Sequence, residues 1–182
     1  MIQTTLNNVS QKRTIRPLYA NHQATPYGGF LDASWNKTTA DILPGMVCAK
    51  LAGENFTLYT GAAGQEPWGL SALFLAPALG IDEVSLSNTN LFTVWKGNSD
   101  AVFEILAPAF DTAATWTNAT NGSRQLLGAT KSAHASGPGK LTPLNADGSS
   151  PANVSGPIAT LINVVGASKI IVSLDRQPTW TA

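Results

Sequence analysis

The stretch that decides the fold runs from Leu43 to Asp111 and opens with LPGMVCAKLAGENFTLYT, residues 43–60. Gly53-Glu54-Asn55 within this opening is a turn sequence, because Gly and Asn tolerate the backbone angles that tight turns require. The segments on either side of it, Met46–Leu51 and Phe56–Thr60, have the length and the apolar content of strands. The opening therefore predicts a β-hairpin.

Further strand patterns recur at a spacing of roughly ten residues, which is typical of small barrels and sandwiches. They are Val84–Leu86, Leu91–Trp95 and Ala101–Leu106, followed by a closing pair at Ile158–Val165 and Lys169–Leu174. In the last of these, Ile170, Val172 and Leu174 occupy alternate positions, as the buried face of a strand does. We expect a mainly β protein with little helix, folded as a small antiparallel barrel or sandwich.

Two parts of the chain carry weaker patterns. Gly61–Gly69 is rich in Gly and Ala and predicts a loop, and the apolar run Leu70–Leu79 fits a short helix or an irregular buried segment as well as a strand. Residues 111–157 are polar, and a structureless loop of that length is unusual inside a compact domain. We therefore expect one or two short strands there, or a surface excursion.

The chain divides by pattern into three parts. Residues 1–41 show no sustained period and are interrupted by Pro and Gly, so we predict no regular element and interpret them as an extended N-terminal arm. Residues 42–176 are predicted to form a single β-rich domain that includes the polar excursion at 111–157. Residues 177–182 are predicted to be a C-terminal tail.

The composition argues against several classes of partner. Charged residues make up 12% of the chain, about half the usual share, and 11 Lys and Arg balance 11 Asp and Glu. Nucleic acid and anionic membranes are held mainly through excess positive charge, so neither is an expected partner. The N-terminus has no apolar core of a signal sequence, and no run reaches the length of a membrane span, so we expect synthesis in the cytoplasm.

No motif predicts catalysis, a metal or a cofactor. The chain has two His and one Cys, too few for a structural zinc site, and Cys48 is interpreted as a small core residue. His134 falls in a polar loop without an evident partner. Close carboxylates such as Asp100 and Glu104 lie at a turn or on a strand face, where a solvated charge is the ordinary role. We expect a protein that is not an enzyme.

The arm contains the candidate binding residues. Its basic cluster is the densest positive patch in the chain and precedes an aromatic segment. A solvated terminus and an arm that becomes ordered on a partner both fit this pattern. The candidate contact residues are Lys12, Arg13, Ile15, Arg16, Leu18, Tyr19, Tyr27 and Phe30.

The five Trp give a second set of candidates. Trp95 lies in a predicted strand and is interpreted as a core residue. Aromatic side chains are enriched at binding interfaces, so the others are candidate surface anchors, for a protein or for a sugar. These candidates are Trp35, Trp68, Trp116 and Trp180.

The sequence also resembles a known family. The segments that carry the resemblance are Pro44–Val47, Gly53–Leu58, Phe92–Gly97, Ala101–Glu104 and the closing Ile170–Leu174. They resemble the head decoration, or cement, proteins of tailed bacteriophages of the lambda type. The resemblance implies a small β-rich, β-tulip-like protein without enzymatic activity. It also implies a homotrimer that binds the capsid exterior where major capsid protein subunits meet, with an N-terminal arm that adds a strand to the shell.

Three functional hypotheses follow. The first is a capsid decoration protein whose residues 1–41 contact the major capsid protein; deleting residues 1–16 should then leave the domain folded and weaken shell binding. The second is another phage structural component, such as a tail tube or head-tail joining protein. The third is a carbohydrate-binding module that uses Trp68, Trp116 or Trp180.

Overall fold

A computed structural model describes residues 14–18, 24–32, 35, 42–72, 91–97, 101–118 and 124–174. Within these residues the regular structure is almost entirely strand, with short 3₁₀ turns at Ala52–Glu54 and Gly166–Ser168. The strands are β1 (Ile15–Pro17), β2 (Ala24–Leu31), β3 (Val47–Lys50), β4 (Asn55–Leu58), β5 (Glu66–Ser71), β6 (Leu91–Gly97), β7 (Ala101–Leu106), β8 (Gln125–Ala129), β9 (Leu141–Pro143), β10 (Ala159–Val164) and β11 (Lys169–Leu174).

Five strands close into a barrel in the order β2, β4, β3, β5, β6. Four of its five seams are antiparallel. The fifth is parallel and pairs Phe30 and Leu31 of β2 with Asn55 and Phe56 of β4. The predicted mainly β fold with a small barrel is confirmed, with one parallel seam in it.

The remaining strands form a six-stranded sheet in the order β1, β7, β11, β10, β8, β9. All of its neighbouring strands run antiparallel, and β1 and β9 lie at its two edges. β6 and β7 follow one another in the chain but belong to different units, β6 to the barrel and β7 to the sheet. Barrel and sheet pack together where the Trp95 ring lies 6.0 Å from the Phe103 ring, so Trp95 packs on the core as predicted.

Alternation along the strands explains which side chains form the core. On β7, Ala101, Phe103 and Ile105 are fully buried and the residues between them are partly exposed. On β11 the predicted inward residues Ile170, Val172 and Leu174 are likewise buried, and the residues between them are partly exposed. The buried residues of barrel and sheet form one continuous apolar cluster, which includes Cys48 as predicted.

Several predicted elements are confirmed. The opening hairpin is β3 paired with β4, and the closing hairpin is β10 paired with β11. The predicted strands at 91–95 and 101–106 are β6 and β7, and the polar excursion contains two short strands, β8 and β9. The segments predicted at Val84–Leu86 and through most of Leu70–Leu79 lie outside the described residues.

Two predictions of irregular structure are wrong. Residues 15–17 and 24–31 are strands, although no regular element was expected before residue 42, and residues 66–69 belong to β5 rather than to a loop. The glycines that suggested breaks are required by packing: a Cβ on Gly29 would lie 2.3 Å from the Phe56 ring, and one on Gly69 would lie 2.4 Å from the Trp95 carbonyl oxygen. Pro67 is accommodated because the β3–β5 ladder changes register beside it.

Candidate functional site

The outer edge strand β1 and the residue that follows it, Leu18, carry three of the predicted contact residues. Ile15 packs against the core, and the amide of Leu18 donates to the Val102 carbonyl oxygen at 2.8 Å. Arg16, whose side chain is 66% exposed, points away from the core and pairs with Glu104 on β7. The structure thus brings Ile15, Arg16 and Leu18 to one sheet edge.

The free side of β1 offers only a short template for another strand. Thr14 and Leu18 make the hydrogen bonds to β7, so the register directs the backbone groups of Ile15 and Pro17 away from it. Pro17 has no N–H to donate, which is a common way in which proteins limit pairing at a sheet edge. Any strand added here could use few ladder bonds.

Glu104 fastens β1 to the sheet by a three-strand charge cluster. Its carboxylate lies 3.1 Å from the Arg16 guanidinium on β1 and 3.0 Å from the Lys169 ammonium on β11. The hydrogen bond from Lys169, with the charge of Arg16, holds the pKa of Glu104 below its ordinary value. The Glu104 side chain is only 12% exposed, but both of its cationic partners reach solvent, so water screens each pair.

Replacing Glu104 by glutamine should therefore lower the free energy of unfolding by less than about 1 kcal/mol. The difference from the wild type should shrink further as salt is added, because the ion pairs are screened. Denaturant unfolding at low and at high salt measures both effects. Glu66→Gln, the same change at an exposed position of β5, is the matched control. A larger loss that salt leaves unchanged would contradict the surface role.

β2 separates the aromatic candidates by face. Tyr27, Gly29 and Leu31 face the barrel interior, while Phe30 faces outward and is 38% exposed. The Tyr27 hydroxyl donates to the Glu54 carboxylate, and that bond, together with Lys50, lowers the pKa of Glu54. Tyr27 is therefore a positioned residue of the barrel wall, and Phe30 is the apolar side chain that β2 presents to solvent.

A surface of aromatic rings and lysines surrounds Tyr27, and we call Tyr27, Lys50, Trp68 and Lys96 the aromatic–lysine surface. The Tyr27 and Trp68 ring centroids are 4.9 Å apart. The Lys96 ammonium lies 4.9 Å from the Trp68 ring and the Lys50 ammonium 5.5 Å from it, within cation–π range. Neither lysine was predicted from the sequence, because they lie on β3 and β6 and reach Trp68 only through the pairing of the barrel strands.

The other tryptophan candidates are partly buried where the structure describes them. Trp116 donates from its indole N–H to the Asp111 carbonyl oxygen at 2.7 Å and packs edge-on against Phe110. Trp35 packs against the core. Trp180 lies outside the described residues, as do the arm candidates Lys12, Arg13 and Tyr19.

A buried carboxylate organises the polar excursion. Asp111, 2% exposed, accepts hydrogen bonds from the Ser136 hydroxyl, from the Thr142 hydroxyl at 3.0 Å and from the Ala113 amide at 3.0 Å. Burial alone would raise the pKa of Asp111, but the hydrogen bonds from Ser136 and Thr142 outweigh it and the pKa is lowered. These bonds tie the loop after β7 to the loop before β9.

The expectation that His134 has no positioned partner is wrong. Its Nε2 lies 3.9 Å from an Asp111 carboxylate oxygen, and its Nδ1 accepts from the Ser136 amide at 3.2 Å. The arrangement differs from a nucleophile–base–acid relay, because the Ser136 hydroxyl binds the carboxylate rather than the imidazole. We assign the group a structural role.

Other chemistry finds little support in the part of the chain that the structure describes. Three or more potential metal ligands do not come together anywhere among these residues. The Cys48 thiol is fully buried, and burial raises its pKa, which disfavours the reactive thiolate. None of the described helical turns is long and apolar enough to cross a membrane.

Comparison with known proteins identifies the family to which this chain of β-strands belongs. The family of phage cement proteins matches it over residues 1–182. Neither the curated proteins nor the solved structures gave a match. The chain belongs to the phage cement protein family, whose members are structural components rather than enzymes. It is a decoration protein of the phage capsid, as the resemblance predicted.

Proposed function

We propose that this cement protein binds the outer surface of a bacteriophage head and stabilises the shell by bridging neighbouring major capsid protein subunits. The observation that carries the proposal is the family match over residues 1–182. A protein that binds only the assembled shell stabilises it by mass action. We propose that it acts there as a homotrimer, after synthesis in the host cytoplasm.

The proposed contact with the major capsid protein is the N-terminal part of the chain. Arg16 and Phe30 support it, because both present exposed side chains to solvent. Phe30 offers apolar area and Arg16 a charged donor, two residue types enriched in protein interfaces. The other proposed contact residues within 1–41 are Lys12, Arg13, Ile15, Leu18, Tyr19 and Tyr27.

Purified virions test the function. Quantitative mass spectrometry should find this protein in a fixed, high ratio to the major capsid protein, because cement sites repeat with the lattice. Electron microscopy should place it on the outside of the head. A few copies per virion, or density confined to the tail or the neck, would support the second hypothesis of a tail or joining component instead.

Variants test the proposed contact. Phe30→Ala should weaken binding to undecorated shells by about tenfold, the loss typical of an interface anchor, and leave the fold unchanged. Removing residues 1–13 should also weaken binding. This deletion leaves β1 complete, whereas a deletion of residues 1–16 would also remove the Arg16 side chain that pairs with Glu104. Ala63→Asp, at an exposed position between β4 and β5, is the control for a surface change. Unchanged binding by both Phe30→Ala and the deletion would refute the arm contact.

A further inference from the structure

An open pocket of about 320 Å³ lies beside the end of β10. The turn Gly166–Ser168 forms one wall and the segment after Phe110 forms the other. None of the described lining residues is charged. They are Phe110, Thr112, Ala114, Trp116, Val164, Gly166, Ala167 and Ile170.

Two exposed aliphatic side chains flank Val164, which lines the pocket: Ile162 lies on β10, and Val165 follows the end of that strand. Ile162 is 47% exposed and Val165 is 42% exposed. Leu161 pairs with Val172 and Asn163 with Ile171, so Ile162 is the extra residue of a β-bulge. A bulge turns its extra residue out of the regular alternation, which explains why an isoleucine here faces solvent.

We propose that this face joins one copy of the chain to another, with Ile162 and Val165 of one copy entering the pocket of its neighbour. The inference rests on the proposed function and deepens it, since it names the contact between copies that lie side by side on a shell. The exposed pair and the pocket together form the copy-contact face.

Charge favours a second copy as the occupant. A contact between copies would bury the exposed pair and the pocket of the neighbour, and an unpaired charge in either patch would be costly to bury. The copy-contact face avoids this, because Lys169, the basic residue that follows its turn, is paired with Glu104. The aromatic–lysine surface is less suited to a second copy, because the exposed Lys96 ammonium lies over the Trp68 ring there.

Shape points to the same occupant. An exposed aliphatic pair and an uncharged pocket are complementary, and one chain carries both. Contact between different patches of identical chains is head-to-tail, and such contacts close into rings when the rotation allows it. Exposed apolar side chains grouped on a surface are also a frequent mark of protein contact sites.

Sedimentation of the full-length free protein over a range of concentrations tests the face in solution. Ile162→Asp places a charge in the pocket of the neighbour and should weaken association by at least about tenfold, the equivalent of 1.4 kcal/mol. Ala63→Asp introduces the same charge at another exposed position and should associate as the wild type does. Equal thermal unfolding midpoints for the two variants would show that the loss of association does not come from a loss of folding. Association of the wild type that Ile162→Asp leaves unchanged would overturn the proposal.

Cross-linking tests the same contact both in solution and on the shell. Ile162→Cys mixed with Ala167→Cys, at the pocket rim, should give a mixed disulfide dimer, while buried Cys48 stays unreacted. A wild type that is monomeric at every concentration, with no mixed cross-link free or on shells, overturns the inference. The inference is also overturned if a glycan quenches the fluorescence of Trp116 and Ile162→Asp leaves association unchanged. That combination would assign the pocket to a sugar. Failure of the wild type to bind shells refutes the proposed function alone.

Discussion

Replacing Phe56 by alanine should lower the free energy of unfolding by about 3–5 kcal/mol, because it removes a fully buried ring and leaves a cavity that its neighbours fill only in part. The ring packs against Tyr27 at 5.9 Å, Trp68 at 5.1 Å and Phe92 at 6.4 Å between centroids. These neighbours belong to β2, β5 and β6, so one substitution loosens contacts among four of the five barrel strands.

Phe30→Ala is the matched control for that experiment. The same atoms are removed from the same barrel, but Phe30 faces outward, and we expect a loss of less than about 1 kcal/mol. Denaturant unfolding of both variants, followed by circular dichroism, gives the comparison. Similar losses for the two would mean that the Phe56 cluster is not the core of the barrel. Phe30→Ala should in turn weaken shell binding.

The second large effect is expected at Asp111. Asp111→Ala removes a buried acceptor of three hydrogen bonds and leaves the buried Thr142 hydroxyl without this partner, so we expect a loss of about 3 kcal/mol in the free energy of unfolding. Asp147→Ala is the control, because Asp147 is exposed and its side chain serves only the nearby Ser149. A loss at Asp111 no greater than at Asp147 would contradict the organising role of the buried carboxylate.

The lowered pKa of Asp111 also predicts how the stability of the fold depends on pH. The folded pKa of Asp111 lies below its ordinary value of 3.8, so its ionised form stabilises the fold above that pH. As pH falls through the folded pKa, the carboxylate takes up a proton and its contribution is lost. The difference in unfolding free energy between the wild type and Asp111→Ala should therefore be largest near neutral pH and shrink in acid. An equal difference at all pH values would contradict this.

The sequence predicted those parts of the fold in which neighbouring residues carry the signal. The closing hairpin was predictable because Ile170, Val172 and Leu174 alternate, and all three are buried. β2 was missed because Gly28-Gly29 reads as a break. Gly29 is a glycine because the Phe56 ring occupies the space of its side chain, a contact between segments far apart in the chain.

The candidate surfaces were predictable only in part, for the same reason. The aromatic residues Tyr27, Phe30 and Trp68 stood out by type, but the lysines over Trp68 come from other strands. Ile162 falls within the predicted strand Ile158–Val165, but its exposure follows from the register shift in β10, which no local pattern predicts. His134 gained its neighbour Asp111 through the folding of the polar excursion, which no local pattern encodes.

The seam between β2 and β6 has a consequence for how the protein is made. It pairs Ala24 with Gly97 and Phe30 with Leu91, so the barrel cannot close until residues 91–97 have been synthesised. Until then β2 and β5 have exposed edges that other chains could occupy, and such long-range pairing is intrinsically slow. Closure of the barrel must therefore wait for translation of β6. A nascent chain that stalls before residue 91 leaves the edges of β2 and β5 unpaired and prone to aggregation.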